Sequence, residues 1–242
     1  MHAAGPDDRV VGRLGGEPRL PPDTRWPSCD GHGPLSFVAS LDCARLPGTG
    51  LPEGGELLFF YFDGQLDDYA SFVSAADPQT RAASRVLYVP EGVETAPRPA
   101  PQPLEPFRQV SLRAEPAVPP LRITDPEVWE SLGIPPDGLD ELEAFKYVLI
   151  DNDEPGHQVA GRPWIVQHEP AYEIAWSVLG TSDYGDPRLE REAARWELLA
   201  QFASDDDAGM TWGDGGTLFW LITPDDLAAS RFDRARFTWQ SH

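Results

Sequence analysis

The sequence predicts an α+β fold: largely antiparallel sheets with inserted helices and an internal duplication of a strand-hairpin unit. Three observations carry this expectation. Short apolar runs bounded by Gly, Pro and Asp come in groups and do not alternate regularly with helical patterns, which is how meanders read and not how a parallel βαβ sheet reads. Two of these groups share one plan. The chain has 242 residues, is 40% hydrophobic and contains eight tryptophans, enough to fill a core of its own.

In chain order, "PLSFVASLD" at 34–42 and "GGELLFFYF" at 54–62 are apolar strands joined by a Pro/Gly loop. "RVLYV" at 85–89 and "FRQVSLRAE" at 107–115 are further strands, separated by "TAPRPAPQP", a proline run that cannot lie inside a sheet because proline donates no ladder bond. Helices are signalled at 125–132, with Asp125 before Pro126, and at 137–150, where Leu139, Leu142, Phe145 and Leu149 form one stripe. Another is expected from Asp186 as N-cap with Pro187 at the first helical position. "WELLAQFA" at 196–203 and "GTLFWLIT" at 216–223 form a second strand pair. The last helix begins at "TPDD", where Thr223 and Asp226 stand three apart as in a capping box. "RFTWQ" closes the chain as a strand.

The repeat is read from three matched pairs. Gly16, Pro18 and Leu20 correspond to Gly161, Pro163 and Ile165, the apolar strands at 34–42 and 196–203 follow, and "GGELLFF" aligns with "GGTLFWL". The separations differ, 39 residues from Gly16 to Gly55 against 55 from Gly161 to Gly216, and the extra length falls in 170–195. One domain over 1–242 is expected, built of two related lobes at about 12–120 and 121–240.

The formal net charge is −21, so nucleic acid is not an expected ligand, since phosphate binding is carried by clustered Lys and Arg. A basic protein is an expected partner. The acid is uneven: 16 Asp plus Glu stand against 10 Lys plus Arg up to Pro120, and 24 against 9 from Leu121 onward, giving −6 and −15. No stretch reaches the roughly 18 apolar residues of a membrane span and the first residues lack a signal peptide's apolar run, so no membrane is expected and the expected location is the cytoplasm. Cys29 and Cys43 are read as reduced thiols.

No Gly-x-Ser-x-Gly elbow, phosphate-binding Walker loop, His-Glu-x-x-His helix or paired Cys-x-x-Cys occurs. The strongest remaining stretch is "QFASDDDAGMTWGDGGTLFW" at 201–220. Asp205, Asp207 and Asp214 offer hard oxygen ligands for Ca²⁺ or Mg²⁺, yet counting Asp205 as the first position of an EF-hand puts Met210 at six and Gly216 at twelve, where that loop needs Gly and Glu. The simpler reading is a hairpin turn, with Gly213 at positive φ, Trp212 as a cover and Asp214 bonded to the turn backbone. No cofactor is expected. His157, close in sequence to Asp151, Asp153 and Glu154, is a second candidate for acid-base work or ligation.

"HQVAGRPWIVQ" followed by "WELLAQFASDDDAGMTWGDGGTLFWLI" resembles the YwqG-like domain family in its His-x-x-x-Gly-x-Pro-x-x-x-Gln element, its Leu-Leu-x-Gln strand and its Asp-rich hairpin with Trp-Gly-Asp. The matching positions are His157, Gly161, Pro163, Gln167, Leu198, Leu199, Gln201, Asp205, Trp212, Gly213 and Asp214. Near the start, Gly15, Gly16, Pro18, Leu20, Pro21, Trp26 and Pro27 also match, whereas Ser40 stands where the family leads one to expect glutamine. The resemblance spans about residues 12–240. It implies a duplicated α+β fold in a bacterial cytosolic protein and names no reaction. The expectation for function is therefore a non-enzymatic, acidic protein-binding or regulatory module, an immunity-like role included. The alternative is an enzyme or small-ligand or metal binder using a cleft between the lobes, with His157, Gln167, Gln201, Asp205, Trp212 and Asp214 as its residues.

Overall fold

The computed structural model describes residues 1–68, 73–74, 81–116, 156–181, 183 and 185–242. The helices expected at 125–132 and 137–150, and Asp151, Asp153 and Glu154, lie outside the described residues. The strands are His2–Ala3 (β1), Val10–Leu14 (β2), Arg19–Leu20 (β3), Ser28–Cys29 (β4), Gly33–Pro34 (β5), Ser36–Asp42 (β6), Glu56–Tyr61 (β7), Ser84–Val89 (β8), Ala96–Pro97 (β9), Val110–Arg113 (β10), Gln158–Val159 (β11), Glu197–Ala203 (β12), Thr217–Ile222 (β13) and Arg236–Gln240 (β14). Pro170–Leu179 (α1), Arg188–Ala193 (α2) and Pro224–Ala228 (α3) are the α-helices among the described residues.

The strands form a six-stranded sheet in the order β1-β10-β2-β6-β7-β8 and a four-stranded sheet in the order β11-β12-β13-β14. Every neighbouring pair is antiparallel, so the α+β, sheet-rich expectation holds. Two short pairs, β3 with β9 and β4 with β5, stand apart. The proline run thus contributes Ala96–Pro97 to a two-residue ladder with β3, correcting the expectation that none of it pairs.

The β2-β6-β7-β8 and β11-β12-β13-β14 meanders share more than strand order. In β6 the register shifts between Phe37 and Ala39, and in β12 between Leu198 and Ala200, the same place in two seven-residue strands. The N–H of Gly15 donates to the Val38 carbonyl at 2.9 Å, and that of Ala160 to the Leu199 carbonyl at 3.2 Å. Both donors open a left-handed pair, Gly15 and Gly16 at φ 55° and 73°, Ala160 and Gly161 at 54° and 75°. Gly55 and Gly216 each precede the second hairpin strand, and there a Cβ would lie 2.6 Å from the Val89 carbonyl oxygen and 2.3 Å from that of Gln240. Only glycine admits so close a backbone approach, which is why a glycine recurs at this point of both meanders.

β13 is buried along its whole length because both of its faces are covered, and a strand covered twice reads as an unbroken apolar run. Leu218, Trp220 and Ile222 belong to the main core with Phe59, Phe60 and Phe202, while Phe219 and Leu221 pack with Ile174, Ala175, Leu189 and Ala193 of α1 and α2. The sheets meet across an aromatic junction. Phe59 lies 5.1 Å from Phe202 and 5.2 Å from Trp220, and Tyr61 lies 4.8 Å from Phe237, centroid to centroid.

The sequence reading missed α1. It carries Pro170 at its start, Ala171, Ile174 and Ala175 on the buried side and Gly180 in the left-handed conformation at its end, a complete set of start and stop signals. α2 begins two residues after Asp186, whose Oδ1 accepts from the Arg188 N–H at 3.0 Å, so the expected capping acid does its work with the boundary shifted. At α3 the Thr223 hydroxyl accepts from the Asp226 N–H at 3.3 Å and donates to the Asp226 carboxylate at 2.9 Å. Cys29 and Cys43 are free and buried, and burial with nearby Asp42 pushes the Cys43 thiol up to about 12. No described helix is long and apolar enough to cross a membrane.

Phe59→Ala removes a ring from the junction and is expected to cost about 3–5 kcal/mol, the range for a buried Phe truncation. Urea denaturation followed by tryptophan fluorescence checks it, and a change under 1 kcal/mol would show that the junction does not hold the sheets together.

Candidate functional site

The hairpin between β12 and β13 is closed by its own polar groups. Asp205 and Met210 exchange backbone hydrogen bonds at 2.8 and 2.9 Å, and Asp205 Oδ1 accepts from the Ala208 N–H at 2.7 Å. Ser204 Oγ accepts from the Trp212 N–H at 2.9 Å and donates to the Gly216 carbonyl at 3.1 Å. Gly209, Gly213 and Gly215 all take positive φ. Trp212 is 3% exposed and meets Tyr61 and Phe107 edge-on at 5.8 and 5.6 Å, so it covers the hairpin as expected. From the segment that leads into β10, the Arg108 N–H donates to the Ala208 carbonyl at 3.0 Å and its guanidinium to the Asp206 carbonyl.

His157, immediately before β11, places Nε2 3.1 Å from Asp205 Oδ2 and is 7% exposed. Its Nδ1 is buried with no hydrogen-bond partner among the described residues. The His157 contact is the main cause that holds the Asp205 carboxyl below its ordinary value, with burial opposing it and backbone N–H groups assisting. Both Asp205 oxygens are therefore engaged in fixing the turn.

Gln201 is fully buried, and each end of its amide has a partner. Oε1 accepts from the Trp164 N–H at 2.8 Å and Nε2 donates to the Gly156 carbonyl at 3.0 Å. Gln240 does the same farther along: its Oε1 accepts from the N–H groups of Val166 and Gln167 at 3.2 and 2.9 Å, and its Nε2 donates to the His168 carbonyl and to Glu173 Oε1 at 2.7 and 2.8 Å. The Thr238 hydroxyl bonds the other Glu173 oxygen. Burial raises the Glu173 carboxyl above its ordinary value against these two donors. These two glutamines bracket the segment 156–168, which has no ladder of its own beyond β11, and bond its backbone groups where it passes over the sheet.

Of the six residues singled out from the sequence, the structure brings together His157 and Asp205. Gln201 lies in the bracket, Gln167 donates from Nε2 to the Ser241 carbonyl at 2.6 Å, Trp212 is sealed under the hairpin, and Asp214 is exposed. Three of the six, His157, Gln201 and Trp212, are buried. The Asp214 carboxylate makes no bond to the turn; instead its carbonyl accepts from the His242 N–H at 3.0 Å, which corrects that expectation. Asp205, Asp207 and Asp214 do not gather into a cation site either: among the described residues no group of three or more His, Cys, Asp or Glu is placed to hold a metal ion. Asp206, Asp207 and Asp214 are exposed, and their carboxylates make no hydrogen bond or ion pair among the described residues. Sequence reasoning missed Gln240, Thr238 and Glu173. The signal for the first two was a polar pair two apart, one face of a strand, alternating with the aromatic Phe237 and Trp239 in "RFTWQ".

Residues 12–241 match the family model described as Domain of unknown function (DUF1963), and the chain belongs to that family. Comparison with curated proteins finds no match.

Two expectations test the bracket and the hairpin lock. Gln201→Leu leaves the Trp164 N–H and the Gly156 carbonyl without partners and is expected to cost about 1–3 kcal/mol, with faster amide exchange at Trp164 read by hydrogen-deuterium exchange. The pH dependence has two opposed parts. Asp205 has a folded pKa below its unfolded value near 3.8, so its contribution is present above that value and is lost as pH falls through the lower folded one. Glu173 has a folded pKa above 4.5, so its contribution is complete below 4.5 and is lost as pH rises through the folded value. In urea unfolding between about pH 3 and 7, Asp205→Asn flattens the acid side of the stability profile and Glu173→Gln flattens the loss above it.

Proposed function

We propose that this DUF1963 protein is a non-enzymatic, acidic protein-binding module of regulatory or immunity-like type, whose partner presents a basic surface to the outer side of the 204–216 hairpin. The observation that carries this reading is the contrast within that hairpin. Asp205 is consumed by His157 and the turn, while the Asp206, Asp207 and Asp214 carboxylates are exposed and make no ion pair on a backbone locked from both sides. A rigid, unneutralised acidic loop on a chain of net charge −21 suits fast, steered association with a cationic surface, and its order removes part of the entropic cost of binding. The cleft alternative draws less support because His157, Gln201 and Trp212 are buried and engaged in holding the fold. We also read the chain as a YwqG-like cytoplasmic protein built of two related lobes. The matched bulges, left-handed pairs and glycine approaches of the two meanders support the lobes.

The test is charge reversal. The triple variant Asp206→Arg, Asp207→Arg, Asp214→Arg changes exposed side chains only and is expected to keep the wild-type melting temperature. A stoichiometric basic partner captured from lysate of the source organism at about 0.15 M salt, where distant charges are screened, is expected to bind this variant at least about tenfold more weakly, a difference of roughly 1.4 kcal/mol. Unchanged affinity, or wild-type protein that elutes alone on gel filtration after the lysate step, overturns the reading.

A further inference from the structure

We propose that the exposed face of α2 and the turn after it, carrying Arg188, Arg191 and Arg195, is a binding site for a phosphate-class oxyanion. The three arginines recur at intervals of three and four residues, which places them on one side of a helical path. With Leu179 and Glu192 they line an open concavity of about 330 Å³, at the small end of ligand sites.

Two of the three guanidinium groups, those of Arg188 and Arg195, are held in place. Asp186 grips Arg188 in two-pronged fashion, Nε at 3.0 and 3.2 Å and one terminal nitrogen at 2.6 Å, and that grip keeps the Asp186 carboxyl down at about 2. Glu192 Oε2 accepts from Arg195 at 2.9 Å, while its Oε1 accepts from the Trp196 indole N–H at 3.1 Å. Glu192 is 8% exposed, so Arg195 is braced by a carboxylate that is itself fixed. Arg191 stands between them with no hydrogen bond or ion pair among the described residues. Each guanidinium has five N–H donors in a rigid fork, and the braces use only one side of two of them.

Among the groups that line the concavity, Arg188, Arg191 and Arg195 stand against the single carboxylate of Glu192, on a chain whose net charge is −21. A carboxylate offers two oxygens and saturates one fork, whereas a tetrahedral phosphate can engage three forks at once. Leu179 supplies an apolar wall for an organic substituent on that phosphate.

The probe is sodium phosphate, titrated into ¹⁵N-labelled protein against sodium chloride at matched ionic strength, with the Arg191 Nε–H and Trp196 indole N–H signals followed by NMR. Saturable shifts of both are expected with phosphate in the millimolar range and none with chloride. Arg191→Ala is expected to weaken the apparent affinity at least tenfold, and Arg191→Lys to keep part of it. Arg191 has no partner to lose, so both variants should melt with the wild type. Phenyl phosphate separates the sources: tighter binding than phosphate assigns the site to an organic phosphomonoester, and equal binding to the free anion. Superimposed phosphate and chloride titrations, or wild-type affinity in Arg191→Ala, overturn the proposal.

Discussion

The contact among Phe59, Phe202 and Trp220 is the constraint on which the rest of the structure depends. Each ring comes from the hairpin strands of one meander, Phe59 from β7 and the other two from β12 and β13, and Phe59 and Trp220 occupy the same register position of their sheets. Neither sheet can close its inner face alone, because each inner face ends in these rings. Joining them removes several aromatic side chains from water at once, with ring pairs at 5.1 to 5.8 Å in the edge-on arrangement that the ring quadrupole favours. The outer face of the four-stranded sheet is then left to α1 and α2.

That outer face explains the buried polar residues. A helix of ten residues and one of six do not cover the whole sheet, and the uncovered end is crossed by the irregular segment leading to α1. Its N–H and C=O groups must be satisfied where they pass over the strands. Gln201 and Gln240 do this with side chains that carry both a donor and an acceptor, and Glu173 with Thr238 ties the start of α1 into the same network. In the first meander the positions of Gln201 and Gln240 are taken by Ser40 and Val89, as the register pairings show.

The sequence made the central hairpins legible because β6, β7, β12 and β13 are long apolar runs between turn residues, and the repeated glycines mark the point of closest backbone approach. β2 and β11 were not legible. One contains Gly12 and Arg13, the other is two residues long, and both are strands because of their neighbours and not their own composition. α1 had its signals but was hidden within a stretch treated as an insertion. At the candidate site, proximity in sequence suggested His157 with Asp151, Asp153 and Glu154, which lie outside the described residues; among the described residues its carboxylate partner is Asp205, 48 positions away. A pairing across two strands of a sheet follows from register, which a single sequence does not display.

The fate of Asp205 also divides the acidic stretch by role. A carboxylate that accepts a backbone N–H at the turn and an imidazole N–H from the residue that leads into β11 is held by geometry, and its charge is spent locally. Asp206 and Asp207 follow it directly in the chain yet point their charge at solvent, and the Arg108 guanidinium beside them bonds a carbonyl and not a carboxylate. A cation placed to neutralise the loop would have paired with those side chains. Placed as it is, it fixes the backbone and leaves the acid groups with their full charge outward, which is the arrangement a cationic partner can use and a self-contained turn does not require.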